Sequence, residues 1–288
     1  MKVRKAVIPA AGFGLRFLPA TKAQPKAMLS LVDKPQIQYV VEEAIAAGIE
    51  QFIVITGRGK EAIENHFDIS YELEDTLLKK KKEGYLELVQ DISHMIETIC
   101  YVRQKEALGL GHSILQARHF IGDEPFAVLL PDDIISNDPP CLGQMLTVFD
   151  RYQCSVVAVQ KIPGDDISSY GVIDPRLVEE RTYHILGMVE KPPADKAPSD
   201  LAIIGRYILS PEIFDILEET TPGKGGEIQL TDAMATLLKR QAIYGYQFEG
   251  TRYDAGDKLG FLKATVEIAL EREDIGPEFR EFLKKLEL

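Results

Sequence analysis

The chain is poor in the residues that staple, anchor or metallate a fold. Its three cysteines, Cys100, Cys141 and Cys154, are odd in number and widely spaced, with no CxxC pair. That argues against a disulfide framework and a cysteine zinc site, and points to a reducing, cytoplasmic setting with buried thiols. The five histidines show no HExxH spacing. No stretch approaches the ~18 consecutive apolar residues of a membrane span. The opening MKVRKAVIPAAG enters a strand directly, and its apolar run is too short for a secretion signal. Basic residues are in deficit, 33 Lys and Arg against 45 Asp and Glu, for a net charge of −12. A general nucleic-acid binder needs a basic face, so that class is disfavoured, although a local basic pocket can still hold a small anion. There is no internal repeat and no long Pro/Gly/Ser linker, so 288 residues are expected to form one continuous domain.

What is present alternates. Lys5–Pro9 is expected as a buried strand, residues 33–48 as a helix stopped by Gly48, the run from Gln51 as a second strand, and 60–66 as a second helix. This rhythm marks an α/β fold with a parallel sheet and helices on its faces. Residues 68–98 break it. They are strongly charged, carry lysines from 79 to 82 and lack a buried strand, so a helical excursion with a solvated lysine face is expected. The rhythm resumes with TICYVRQ, a helix over 111–120, PFAVLLPDD, a helix over 141–152 and SVVAVQKI. Shorter strands follow in YGVID, HILGMVEKP and LAIIGRYIL, then helices over 211–219 and 228–240 and a strand over 243–248. Two helices, 258–273 and 277–286, close the chain. The second carries an apolar stripe, Phe279, Phe282, Leu283 and Leu286, for its own domain or for another subunit.

Ala10 to Lys26, AAGFGLRFLPATKAQPK, follows the first strand. Its glycines Gly12 and Gly14 allow backbone N–H groups close to a ligand, and Arg16, Lys22 and Lys26 would repel one another unless an anion lay among them. The loop lacks the third glycine of GxGxxG, which weakens a dinucleotide-dependent dehydrogenase, and no GxxxxGK[ST] occurs. LLPDD places Asp132 at the C-terminal end of a buried strand, where it either caps a turn or holds Mg²⁺ through one oxygen. VEKP, with Glu190 and Lys191, is either a surface ion pair or a sugar and phosphate contact. In RYDAGDK, Asp254 ends a short strand and Asp257 can cap the next helix. Gln104 stands before a second GxG turn, and its amide can donate and accept as a base edge requires.

Read in order, the glycine loop with LPATK and PK, RQKEALGLGH, LLPDD, YGVID, VEKP, PSDLAIIGRY, GGEIQLTDA and RYDAGDKLGF resemble the bacterial UTP–glucose-1-phosphate uridylyltransferase family over residues 3 to about 272. The resemblance implies a Rossmann-like three-layer nucleotidyltransferase fold with a mostly parallel mixed central sheet. It divides the domain into a nucleotide half (about 1–135), a sugar half (about 136–257) and C-terminal helices (258–288). It implies Mg²⁺-dependent transfer of UMP from UTP to glucose 1-phosphate, giving UDP-glucose and pyrophosphate, in a homodimer or homotetramer. On that resemblance Ala10, Ala11, Gly12 and Gly14 line the nucleotide, Arg16 and Lys26 hold pyrophosphate, and Gln104 and Gly109 read uracil. Asp132 takes the metal with Asp254 as a second ligand. Gly171, Glu190 and Gly205 adjoin glucose, and Lys191 contacts its phosphate. Three positions depart from the family pattern: Leu15 for Thr, Ala27 for an acidic residue, and Asp200 for Asn. The first two bear on rate and nucleotide choice.

Both substrates are anions, so the task is positioning and neutralisation rather than acid–base chemistry, and direct in-line displacement is expected. Two alternatives are a relative using dTTP or another sugar phosphate, and a non-catalytic nucleotide-sugar sensor.

Overall fold

Along the first strand alternate residues face opposite ways, and both directions are apolar. In Lys5–Pro9 (β1), Ala6 and Ile8 join one core cluster and Val7 the other, all fully buried. Such a strand belongs inside a sheet covered on both faces. The structure, a computed structural model, describes residues 2–286. After β1 come three single 3-10 turns, a short hairpin of β2 (Ser30–Leu31) and β3 (Lys34–Pro35), α1 (Gln36–Ala46), β4 (Gln51–Thr56) and α2 (Glu61–Phe67). The charged excursion is α3 (Tyr71–Lys79) and α4 (Glu83–His94), with no buried residue in either helix and the lysine run at the turn between them. Next are β5 (Thr98–Arg103), α5 (Leu110–Leu115), α6 (Arg118–Ile121), β6 (Phe126–Leu129), β7 (Asp133–Ser136), α7 (Cys141–Tyr152) and β8 (Ser155–Lys161). The chain continues through β9 (Gly171–Glu179), β10 (Thr182–Glu190), β11 (Leu201–Leu209), α8 (Ile213–Glu219), α9 (Leu230–Leu237), β12 (Ile243–Gln247) and β13 (Thr251–Asp254). It ends in α10 (Lys258–Glu271) and α11 (Gly276–Lys284).

The large sheet is mixed, in the order β5-β4-β1-β6-β11-β8-β12-β10-β9. Its first four strands are mutually parallel, so Pro9, Thr56, Arg103 and Leu129 end at one edge. Beyond them β11 runs antiparallel to both β6 and β8, and β10 antiparallel to β12 and β9. The far half then closes on itself, because β9 meets β11 again through Val172 and Ala202. The buried faces of α1 and α7 pack on one side of the sheet, and those of α5, α8 and α9 on the other.

Three expectations change in detail. The helix expected over 111–120 is two short helices, α5 and α6, because the backbone tightens at Gln116 and Ala117. PFAVLLPDD is not one strand. Leu130 N bonds to Gly205 O at 2.8 Å, the chain turns, and β7 pairs with β13 in a separate small sheet. YGVID and HILGMVEKP lengthen into a β9–β10 hairpin whose outer residues Leu177 and Leu186 stay exposed, so burial there could not announce the strands. In α11 only Gly276 is buried and Phe282 is 55% exposed, so its stripe is incompletely covered by α10.

A buried ion pair braces the centre. Arg206 on β11 is wholly enclosed and donates through Nε and Nη2 to Glu43 on α1, at 2.7 to 3.2 Å. Its Nη1 donates to Leu130 O at 3.1 Å and Gly205 O at 3.2 Å. Arg206 thereby holds the turn just before Asp132.

Candidate active site

The glycine loop leaves β1 with Ala10 N bonded to Ile55 O at 2.8 Å. Gly14 sits at φ +66°, and a Cβ there would lie 3.0 Å from Thr21 Cγ2 and 3.1 Å from Lys26 Cβ. A side chain would therefore be strained and crowded. Thr21 Oγ1 donates to Gly14 O at 2.8 Å and folds the loop back on itself. The fold-back carries Lys26 Nζ to Asp132 Oδ2 at 2.6 Å and to Gly256 O at 3.1 Å. Arg16 stays exposed on its 3-10 turn, with no ion pair among the described residues. Leu15 is 69% exposed, whereas Ala27 is buried in the core, so the two departures in this loop face opposite environments.

Asp132 and Asp254 converge. A methyl group on Gly256 would lie 2.6 Å from Asp254 Oδ1 and 3.5 Å from Asp132 Oδ2, so both oxygens border one small space. Among the described residues no three His, Cys, Asp or Glu side chains form a metal cage. Two carboxylates fit a hard divalent cation that completes its shell with water and phosphate oxygens. Asp254 is also gripped from behind. Its Oδ2 accepts from Tyr170 Oη at 2.8 Å and Arg252 Nη2 at 2.9 Å, and its Oδ1 from Gly256 N at 2.9 Å. Burial pushes this carboxyl upward, but Arg252, Tyr170 and the Gly256 N–H outweigh it and hold the group below its ordinary value. Asp257 does cap α10, accepting from Leu259 N and Gly260 N at 2.9 Å.

Asp133 has a different task from its neighbour. It is buried, accepts from Arg252 Nε and takes Gly205 N on Oδ2 at 2.9 Å. Burial raises its carboxyl against the pull of Arg252. A Cβ on Gly205 would meet Asp133 Oδ2 at 2.5 Å, so glycine is required there by this contact.

At the end of β10, Glu190 and Lys191 pair at 3.2 Å, with the Glu190 side chain only 9% exposed. Lys191 has φ +46°, an uncommon conformation for a side-chain residue that turns it out of the strand. Its N–H donates to Tyr170 O at 3.0 Å, and Lys224 Nζ reaches its carbonyl. Gly171 opposes Glu190, since a Cβ there would stand 3.2 Å from Glu190 Oε2 and 2.9 Å from Thr231 Oγ1.

Gln104 directly follows β5, on the sheet edge where β1, β4 and β6 also end. Its N–H bonds to Thr56 O at 2.8 Å, and its amide touches the His112 ring. Gly109, at φ +102°, lies against Glu227 and Ile228, where a Cβ would come within 2.7 Å of Glu227 Cβ.

The geometry thus gathers Lys26, Asp132 and Asp254, links them through Tyr170 to Lys191 and Glu190, and puts Gln104 and Gly109 beside the glycine loop's sheet edge. Sequence reasoning missed the roles of Asp133, Tyr170, Arg252 and the His112 contact. The second aspartate of LLPDD and the arginine of RYD were visible signals, but their pairing spans 119 residues.

A family model described as nucleotidyl transferase matches residues 5–271. The chain belongs to the nucleotidyl transferase family. It is 53% identical over 287 residues to a UTP–glucose-1-phosphate uridylyltransferase of Staphylococcus epidermidis, covering 100% of this chain and 99% of that one. It is 52% identical over 285 residues to the enzyme of that name from Bacillus subtilis, covering 99% and 97%. Among solved structures it resembles a UDP-glucose pyrophosphorylase complexed with UDP-glucose, with TM-score 0.86, 48% identity and coverage of 94% and 100%. It also resembles a UTP-bound UGPase from Acinetobacter baumannii, with TM-score 0.91, 41% identity and coverage of 99% and 100%. The resemblance drawn from the motifs is borne out. No helix among the described residues is long and apolar enough to cross a membrane.

Proposed function

We propose that this protein transfers UMP from UTP to glucose 1-phosphate, releasing pyrophosphate and forming UDP-glucose. One observation carries the reading: Tyr170 joins two phosphate-handling sets. Its hydroxyl bonds to Asp254 beside Asp132 and Lys26, and its carbonyl bonds to the backbone of Lys191. The full-length similarity to UTP–glucose-1-phosphate uridylyltransferases supports the choice of substrates.

In this reading Ala10, Ala11, Gly12 and Gly14 present backbone to the nucleotide, and Arg16 and Lys26 neutralise the departing pyrophosphate. Gln104 and Gly109 meet the base. Glu190, Gly171 and Gly205 border the glucose, with Glu190 accepting from its hydroxyls. Lys191, a mobile point charge, brings the sugar phosphate in line with the α-phosphorus. Asp132 and Asp254 hold Mg²⁺, which supplies Lewis-acid neutralisation of phosphate charge. No nucleophilic side chain is required, so displacement is direct. The frame is read as a Rossmann-like three-layer domain, with a nucleotide half to about residue 135, a sugar half to about 257 and closing helices. The protein is read as cytoplasmic and as a homodimer or homotetramer that uses the apolar stripe of α11. Light scattering on a sizing column tests the last point.

The deciding assay is pyrophosphate release with Mg²⁺ and glucose 1-phosphate, paired in turn with UTP, dTTP, CTP, ATP and GTP. UTP is expected to be preferred. A tenfold preference for another nucleotide removes the uracil assignment. Binding of UDP-glucose without turnover makes the protein a sensor. Trapping of a uridylylated chain refutes direct displacement.

A further inference from the structure

The hydrogen bonds around Gln104 contain a conflict that has one consistent solution. The Gln104 amide lies 2.8 Å from His112 Nδ1. The other ring nitrogen of His112 lies 3.2 Å from the Gln116 amide. As placed, both amides turn their nitrogens to the ring. A neutral imidazole has one N–H and one acceptor, so one of these amides must present oxygen instead. Amide nitrogen and oxygen are nearly identical in shape, so partners must decide.

Gln116 is anchored by a second bond, from its Nε2 to the His112 carbonyl at 3.2 Å, which oxygen could not make. Its nitrogen therefore faces the ring, His112 Nε2 accepts, and the proton sits on Nδ1. The Nδ1–H then needs an acceptor, which is Gln104 Oε1 once that amide is turned by half a rotation. The turn forfeits a contact of 3.4 Å from Gln104 Nε2 to Gly109 O. That carbonyl keeps the Ser113 N–H at 3.1 Å. The free end of the Gln104 amide makes no hydrogen bond among the described residues and is not fully enclosed, so it stays accessible. After the turn this free end is the NH₂ group.

We propose that His112 and Gln116 are positioning residues that lock the Gln104 amide with its NH₂ toward the base, selecting a pyrimidine with a carbonyl at C4 over one with an amino group there. The inference rests on the reading of Gln104 as a base contact. A carbonyl accepts from the NH₂. An amino group would set donor against donor and leave both unpaired, the situation in which a site rejects a near-isostere most strongly.

The test is the ratio of kcat/KM for UTP to that for CTP, with dTTP as a control because thymine keeps the C4 carbonyl. His112→Leu is expected to lower the UTP/CTP ratio at least tenfold, toward that of Gln104→Ala, and Gln116→Leu to lower it less. His112→Asn, whose amide can reach the place of Nδ1, is expected to retain most of it. The UTP/dTTP ratio should not move in any of them. A merely structural role would depress all nucleotides alike and leave the UTP/CTP ratio intact, which overturns the inference. An unchanged ratio in Gln104→Ala instead removes the base-contact reading itself. Should His112→Leu not fold, ¹⁵N imidazole shifts of the wild-type protein decide: an Nδ1–H tautomer is expected, and an Nε2–H tautomer overturns the proposal.

Discussion

The two ends of the candidate site are built from different chemistry. At the end proposed to hold the phosphates the contacts are charged: Lys26 on Asp132, Arg252 across Asp133 and Asp254, Lys191 on Glu190. At the end proposed to meet the base they are neutral: an amide on an imidazole on an amide. Charge acts over distance and tolerates movement, which suits phosphates that change partners during transfer. Neutral hydrogen bonds depend on which atom donates, which suits a choice between bases of one shape. The comparison implies a division of labour in which the charged end sets rate and the neutral end sets preference.

The largest effect should come from breaking the charged end. Lys191→Ala is expected to cost roughly 10³-fold in turnover, at the upper end of what one preorganised electrostatic contact supplies. Its UTP/CTP ratio and circular dichroism should remain those of wild type, because a strand-end lysine adds little to the core. Loss of fold, or a changed base preference, would break the division. Next is the brace beneath that end. Glu43→Gln leaves Arg206 buried beside an uncharged partner, and unfolding in urea should show about 3 kcal/mol of lost stability, the scale of a halved buried ion pair. A loss under about 1 kcal/mol would mean that Leu130 O and Gly205 O suffice to hold Arg206.

The charged end was also the more legible of the two in sequence. Asp254 ends β13, Lys191 follows the last residue of β10, and Asp132 lies in the turn between β6 and β7, and the apolar runs that lead to each can be read from the sequence. What could not be seen was pairing across the chain. Arg252 meets Asp133 only because β7 and β13 leave the large sheet and pair separately, Asp254 opposite Asp133. The same limit hid the closure of the far half, since one bridge between Val172 and Ala202 leaves no pattern in either strand. At the base end Gln104 stood out as a lone amide before a GxG turn. Its orientation depends on Gln116, which is visible only once α5 stops and the side chain folds back onto the His112 carbonyl.

A smaller effect sharpens the base end. Gly109→Ala puts a side chain at φ +102° and a Cβ 2.7 Å from Glu227 Cβ and 2.9 Å from Ile228 O, and backbone on that side cannot yield cheaply. About 2 kcal/mol of stability should be lost, the scale of one strained residue. KM for UTP should rise while kcat with saturating nucleotide stays within a few-fold. A fall in kcat with unchanged KM would assign this turn to the phosphate end instead.

The smallest effect has the opposite sign. Lys60 precedes α2 in the loop after β4, is only 6% exposed, and its ammonium makes no hydrogen bond or ion pair among the described residues. Burial alone pulls its ammonium below the ordinary lysine value. A lysine so shifted binds its proton less tightly folded than unfolded. The penalty is therefore full below the folded value and vanishes as pH rises through the ordinary lysine range. Lys60→Met keeps the stem and removes the charge, so it should stabilise the nucleotide-free protein by up to about 1 kcal/mol near neutral pH, the scale of a favourable single substitution. That gain should shrink at alkaline pH. Urea titrations at neutral and alkaline pH check both statements. If UTP also binds Lys60→Met more weakly than wild type, the unpaired cation serves a phosphate, and the charged end extends past Gly57 to the start of α2. If affinity is unchanged, charge at Lys60 is a cost of the local fold, and the boundary between the two ends stays where Lys26 and Gln104 put it.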